Sequence, residues 1–265
     1  MDPSLKKVKA LFLDMDGGLW TDKKEIGNLH EVFESIRETG LIPLFGSNNA
    51  SKTPQEYCDK LARFGVSVNP EQFFTSGIAT IHQLKKDFPN GPRVYVFGMP
   101  SLKKMLSDHG IEVVEENADA VVVSVDWTIT YDKIARSMIE ICEHGAKFYA
   151  TNTDSTFVTE NGWRPGGGTM VSCVETCTAV KPFVIGKPNT VMIDMACKAY
   201  GLQPDEILAV GDRYETDIQG GLNYGARTAL VLSGYETPET VPYLERKPDL
   251  ICADLAEVIS VLKSL

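Results

Sequence analysis

Val8-Lys9-Ala10-Leu11-Phe12-Leu13, running straight into Asp14-Met15-Asp16-Gly17, decides how this chain is read. A nearly continuous apolar run of that length suits a parallel strand buried on both faces. It ends on two carboxylates separated by one residue. Downstream, the spacing of Leu29, Val32 and Ile36 predicts a helix over 29–39, stopped by Gly40. A second strand over 41–45 ends at Gly46-Ser47-Asn48-Asn49, and Ser51 is expected to cap a helix carrying Tyr57, Leu61 and Phe64. Strand, helix, strand, helix with short connections implies an α/β fold with a doubly wound, Rossmann-like parallel sheet. Ligands in such sheets bind beyond the carboxyl ends of the strands, where both polar clusters fall.

Further along, apolar runs at 94–98, 120–125 and 148–150 predict three more buried strands. The segments 87–92 and 163–168, rich in proline and glycine, read as turns. From Phe183 the opening pattern is expected to resume. Phe183-Val184-Ile185 leads into Gly186-Lys187-Pro188, a helix is predicted over 190–200, and a strand over 207–210 ends at Gly211-Asp212. A last strand is predicted over 228–232. The expected division is a discontinuous core of 1–78 and 180–265, interrupted by a second α/β domain of 79–179.

At 265 residues, with 43% hydrophobic and 23% charged residues, the chain has the composition of a globular protein able to bury its own core. A net charge of −10 argues against nucleic acid or an anionic membrane surface as the main partner. The opening residues lack the pattern of a secretory signal, and no apolar run approaches the roughly 20 residues of a membrane span. A cytoplasmic protein is the expectation. The six cysteines, at 58, 142, 173, 177, 197 and 252, have no cluster of further ligands around them and read as buried, reduced thiols. The histidines at 30, 82, 109 and 144 match no metal-binding spacing and are expected on solvated helix faces.

Four polar clusters sit at four predicted strand ends: Asp14 with Asp16, Ser47-Asn48-Asn49, Lys187, and Asp212 with Asp217. Each alone reads as a turn or a helix lead-in. Together at one rim of a sheet they form a set complete for phosphoryl transfer through an aspartyl-phosphate. One carboxylate attacks phosphorus, and a second donates a proton to the leaving alcohol and later takes one from water. So many anionic groups would repel a phosphate dianion, which calls for a hard divalent cation such as Mg²⁺. Asp14, the backbone carbonyl of Asp16, and Asp212 are its candidate ligands. Lys187 adds a compact positive charge on the transferring group, and Ser47 with backbone N–H groups near Gly17 and Asn48 can bond its oxygens.

These motifs resemble those of the haloacid dehalogenase (HAD) superfamily of phosphatases, in the subclass with a large α/β cap inserted between the second and third motifs. Relatives there include 4-nitrophenylphosphatases and NagD-like phosphatases. The matching stretches are Leu11 to Gly17, Ser47-Asn48-Asn49-Ala50-Ser51, Gly186-Lys187-Pro188, and Gly211-Asp212-Arg213 with Thr216-Asp217. In the cap, Asp126 with Thr130-Tyr131 and Ala150-Thr151-Asn152 with Asp154 match as well. The resemblance implies a HAD core with the cap as a second domain, and hydrolysis of small phosphate monoesters. Asp14 is then the nucleophile and Asp16 the general acid/base, with Asp14, Asp16 and Asp212 around Mg²⁺. Ser47, Asn48, Asn49 and Lys187 surround the phosphate, and Asp217 orients Lys187 or a metal-bound water. A homodimer through the cap is carried forward, since relatives often pair that way. Phosphomutase or phosphotransferase activity, and phosphometabolite binding with weak catalysis, stay open as alternatives.

One departure stands out: Gly18 occupies the place where relatives usually carry Thr or Val, which is expected to loosen the catalytic loop. In the cap, the segment 151–168 is the expected specificity element. Asn152 and Asp154 there are candidates for substrate hydroxyls or for turn contacts, and Trp127 is expected to pack, with stacking on a leaving group as the alternative.

Overall fold

The computed structural model describes residues 3–21, 23–159 and 162–265. Contacts divide the chain into two compact units. The first comprises Met1–Ser47, Pro54–Phe74 and Lys187–Leu265, and the second Asn48–Thr53 and Thr75–Gly186.

In the first unit a six-stranded sheet runs in the order Leu250–Cys252, Arg227–Val231, Ile207–Gly211, Ala10–Leu13, Ile42–Ser47, Phe73–Thr75. The first five strands in that order pair in parallel. Ala10–Leu13 lies inside the sheet, and all four of its residues are buried, which is why the run is apolar throughout rather than alternating. Its register sets Leu13 between Val210 and Phe45. The chain therefore reaches one edge of the sheet through Asp14, Gly211-Asp212 and Gly46-Ser47 on three adjacent strands.

Helices cover both faces. Leu29–Thr39 starts on Asn28, whose side chain accepts from the Glu31 N–H, and stops at Gly40 in the left-handed conformation. Its Leu29, Val32, Phe33 and Ile36 pack in one cluster with Leu11, Leu13, Phe45, Leu208 and Val210. On the other face lies the helix Gln219–Tyr224. A Cβ on Gly221 would come within 2.8 Å of both Ala209 and Thr228, so the helix rests directly on the sheet there. The helix expected to start from Ser51 begins instead at Pro54. Proline suits a first helical turn because its missing N–H has no partner to lose. Ser51 donates both its N–H and its hydroxyl to Asn49 Oδ1, closing a turn.

The second unit has a five-stranded parallel sheet in the order Phe183–Val184, Lys147–Ala150, Ala120–Val123, Arg93–Phe97, Glu112–Val113. Phe97, Val121, Val123, Phe148, Val171 and Val174 belong to its core. Phe183–Val184 thus pairs with Tyr149 and Ala150 rather than resuming the first sheet. Two residues carry too little pattern to say which sheet they join. The turn-rich stretch near Trp163 contains an antiparallel hairpin, Thr156–Thr159 with Gly162–Pro165.

All six cysteines are free, but only Cys58, Cys197 and Cys252 are buried, so burial holds for half of them. The four histidines occupy exposed positions. Trp127 does not pack: it is 70% exposed. Among the described residues, no helix is long and apolar enough to cross a membrane.

Candidate active site

Asp14 leaves the first strand with its N–H bonded to the Val210 carbonyl at 2.8 Å, which holds it over the gap between two parallel strands. Lys187 follows the second unit directly and is buried in the first. Its Nζ lies 2.5 Å from Asp14 Oδ1, 2.6 Å from Asp217 Oδ1 and 3.0 Å from the Gly46 carbonyl. Asp212, at the end of its strand, accepts from the Tyr235 N–H at 2.7 Å. Asp217 lies in a wide helical turn, Tyr214–Ile218, and accepts from the Arg213 N–H at 3.1 Å. Carboxylate oxygens of Asp14, Asp212 and Asp217 lie within 4.8 Å of one another.

The charges are unbalanced. Burial raises Asp14 well above the usual carboxylate range; Lys187 opposes this, while Asp217 and Asp212 reinforce it. Burial, and then Asp217, push Asp212 up to about 7. Burial also works against the Lys187 charge, but Asp14 and Asp217 outweigh it and hold the ammonium protonated well above its ordinary range.

Asp16 stands apart from this cluster. Its side chain is exposed and accepts from Trp20 Nε1 at 2.7 Å. Ser47 is buried at the end of Ile42–Ser47, beside the hydroxyl of Tyr57. Burial and then the charge of Asp16 push that Tyr57 hydroxyl far up.

Comparison with known proteins bears on this arrangement. A family model described as haloacid dehalogenase-like hydrolase matches residues 11–112, and a HAD-hydrolase-like model matches residues 184–258. A 5'-nucleotidase of Bacillus subtilis is 36% identical over 96% of this chain and 99% of its own length. An acid sugar phosphatase of Staphylococcus aureus is 33% identical over 98% of this chain and 100% of its own. The chain belongs to the haloacid dehalogenase-like hydrolases. It is a HAD-type phosphatase in fold and relatives alike: the crystal structure of a 4-nitrophenylphosphatase from Thermotoga maritima superposes with a TM-score of 0.92 at 32% identity. That match covers 98% of this chain and 100% of the other.

HAD hydrolases generally work with a divalent metal, and the residues present fit one. Three carboxylates, Asp212 and Asp217 buried and Asp14 nearly so, face the Lys187 ammonium, and Asp14 and Asp212 are pushed upward by burial and by their neighbouring carboxylates. Hard oxygen donors of this kind suit Mg²⁺ or a similar cation. The side chain that joins Asp14 and Asp212 in the cluster is Asp217, not Asp16.

The loop after Asp14 is tightly built. Gly17 has a φ of +96°, and a Cβ there would run into the Asp212 carboxylate, so glycine is required on both counts. Gly18 has a steric reason to be glycine. It is buried, and a Cβ would lie 2.8 Å from the Asp14 carbonyl oxygen, so the missing side chain lets the turn close on Asp14.

In the second unit, Asn48 Nδ2 donates to both Asp154 oxygens at 3.1 and 3.2 Å. The Asn48 carbonyl accepts from Asn152 Nδ2 at 2.8 Å and from the Ser76 hydroxyl at 2.6 Å. Asn152 Oδ1 also accepts from the Asp154 N–H at 3.1 Å. Asn152 and Asp154 therefore make turn contacts that brace the segment after Ser47, and Asn49 is engaged with Ser51. Of the expected specificity segment 151–168, Glu160 and Asn161 lie outside the described residues. Trp20, Tyr57 and the Tyr235 N–H are site groups that sequence reasoning missed. Trp20 and Tyr57 read as ordinary apolar positions, and nothing in the local pattern near 235 points to Asp212.

Proposed function

We propose that this chain is a Mg²⁺-dependent phosphatase that hydrolyses small phosphate monoesters through a phosphorylated Asp14. The observation that carries the reading is Lys187, buried with its ammonium between Asp14 and Asp217. A lysine so held cannot serve as a mobile surface charge. It keeps the Asp14 carboxylate oriented and presents positive charge where a phosphoryl group would arrive. Asp14 attacks phosphorus, and Asp16 gives a proton to the departing alcohol and later removes one from the water that cleaves the acyl phosphate. Asp217, bonded to Lys187 and to the Arg213 N–H, keeps the lysine in place. Asp14 and Asp212 would hold the cation, with the Asp16 carbonyl, and the cation supplies charge neutralisation between these carboxylates and the phosphate.

The substrates proposed are sugar phosphates, nucleotides and 4-nitrophenyl phosphate, the compounds in the names of the relatives. The residues around 79–179 are proposed to form the cap, with pairing through it into a homodimer, and the protein is proposed to act in the cytoplasm. The test is release of phosphate from 4-nitrophenyl phosphate with and without Mg²⁺, for wild type and Asp14→Asn. Wild type is expected to depend on the metal, and Asp14→Asn to lose turnover while keeping its fold. An inactive wild type favours phosphometabolite binding, isomerised sugar phosphate without free phosphate favours a mutase, and an active Asp14→Asn removes the nucleophile assignment.

A further inference from the structure

Trp20 touches the segment Met15-Asp16-Gly17 at three points. Its N–H donates to the Met15 carbonyl at 3.2 Å, and its carbonyl accepts from the Gly17 N–H at 2.8 Å. Its indole Nε1 donates to Asp16 Oδ1 at 2.7 Å. Main chain on either side of Asp16 and the carboxylate itself are thus bonded to one residue. Trp20 is in turn packed on several sides. It is fully buried, its ring is stacked with Tyr57 and Phe64, both at 6.4 Å between centroids, and the Lys60 ammonium lies 3.9 Å from the ring centre. A short antiparallel pairing, Trp20–Thr21 with Lys24–Glu25, continues from it.

An indole N–H donates and never accepts. An oxygen that receives it is the poorer place for a proton, because protonation takes a lone pair and negative charge from the acceptor and weakens that bond. We propose that Trp20 is the positioning residue for Asp16: its indole fixes Oδ1, orients the carboxyl plane, and leaves Oδ2 to carry the transferred proton. The inference rests on Asp16 acting as the acid of the proposed phosphatase reaction. In the first half-reaction a bond forms between an Asp14 oxygen and phosphorus, and the bond from phosphorus to the ester oxygen breaks. The proton on Asp16 Oδ2 passes to that oxygen, releasing a neutral alcohol and leaving Asp16 as a carboxylate.

Leaving groups separate this role from a packing role. A nitrophenolate departs with little help, whereas an alkoxide needs the proton. The quantity to compare is kcat/KM, which reports the steps up to phosphorylation of Asp14, for 4-nitrophenyl phosphate and for an alkyl phosphate such as glycerol phosphate. Trp20→Phe keeps a stacked ring and removes the N–H. It should lower kcat/KM for the alkyl ester by about 10-fold or more, part of the 10²–10⁴-fold that general acid catalysis supplies, and for the nitrophenyl ester by no more than about 3-fold. Benzothienylalanine at position 20 keeps the bicyclic shape without the N–H, and should reproduce the split if Trp20→Phe folds poorly. Equal losses for both esters in the variant that folds, or a faster alkyl reaction, overturn the proposal. Asp16→Asn run alongside should show the same split, only larger. If Asp16→Asn slows both esters alike, the acid role of Asp16 fails, and the phosphatase mechanism with it. If Asp16→Asn shows the split and the position 20 variants do not, the Trp20 role alone fails.

Discussion

Replacing Lys187 with methionine keeps the length of the side chain and deletes the one ammonium that lies against Asp14 and Asp217, at 2.5 and 2.6 Å. Both carboxylates are then left with no cation from the side chain that paired them, and Asp212 adds a third negative charge within 4.8 Å. Removing one partner of a buried ion pair costs about 3–5 kcal/mol, because the group left behind stays buried and charged. The Gly46 carbonyl also loses its donor, a smaller loss of about 1 kcal/mol. Protonation of a carboxylate limits the damage, so about 3–5 kcal/mol in metal-free buffer is the expected total. A cation bound by the folded state alone adds about 2.7 kcal/mol at a hundredfold excess over its Kd. Saturating Mg²⁺ should therefore stabilise the variant, and by more than it stabilises wild type, whose cluster already holds one positive charge. Turnover should fall by about 10²–10³ even at saturating metal, the usual effect of losing one group that stabilises developing charge. The assay is urea unfolding in chelator and in Mg²⁺, with phosphate release measured on the same preparations. A Lys187→Met protein as stable as wild type in chelator refutes the reasoning, since the three carboxylates would then need no counter-charge.

Glu140 tests electrostatics away from this site. Its side chain is fully buried and accepts from the N–H groups of Ala118 at 2.8 Å and Asn117 at 3.1 Å, with His144 Nδ1 also at 3.1 Å. Burial works to raise its pKa, but the Ala118 N–H, His144 and the Asn117 N–H outweigh it and hold the carboxyl below its ordinary range. A lowered folded value means that the stabilisation is complete above the unfolded pKa of about 4.3 and is lost as pH falls through the folded value. Glu140→Gln should cost about 2–4 kcal/mol at pH 7, and the gap from wild type in urea unfolding should narrow below about pH 4; a gap that is constant or widens in acid contradicts the assignment. Gly18→Thr should cost about 1–3 kcal/mol and slow turnover, because its Cβ must push the Asp14 carbonyl aside. An unchanged melting temperature with unchanged kinetics would show that the loop is slack.

Much of the first sheet could be read from the chain alone, because strands buried on both faces are written as unbroken apolar runs. Ala10 to Leu13 and Ile207 to Val210 are such runs, and each gives way to polar residues at its carboxyl end. The helix Leu29–Thr39 is legible because Leu29, Val32 and Ile36 share one face and Gly40 ends it, while its Asn28 cap shows only in the structure. The start at Pro54 was missed because Ser51 has the chemistry of a cap but spends it on Asn49, a choice set by the turn. The sheet that Phe183–Val184 joins is hidden from the sequence because strand pairing is a long-range property. The same limit hides the Asn48–Asp154 contact, whose partners are 106 residues apart. Trp127 was read as packing on its apolar character alone, which says nothing about what lies beside it.

The two carboxylates that open the chain's chemistry illustrate the limit most sharply. Asp14 and Asp16 differ by two residues and look alike in sequence, yet the fold sends them into opposite surroundings. Asp14 stays at the sheet edge among Asp212, Asp217 and Lys187, where its charge is set by that cluster. Asp16 lies within the turn that closes on Asp14, with its side chain exposed and held by Trp20. In the proposed reaction the nucleophile gains from a fixed lysine that orients it, while the proton carrier gains from an exposed position that a leaving alcohol can reach. The chain just after Asp16 is close-packed against this cluster: a Cβ on Gly17 would meet the Asp212 carboxylate, and one on Gly18 the Asp14 carbonyl. The pair of glycines thus helps to set the two carboxylates in different surroundings, which the proposed reaction would use for two different tasks.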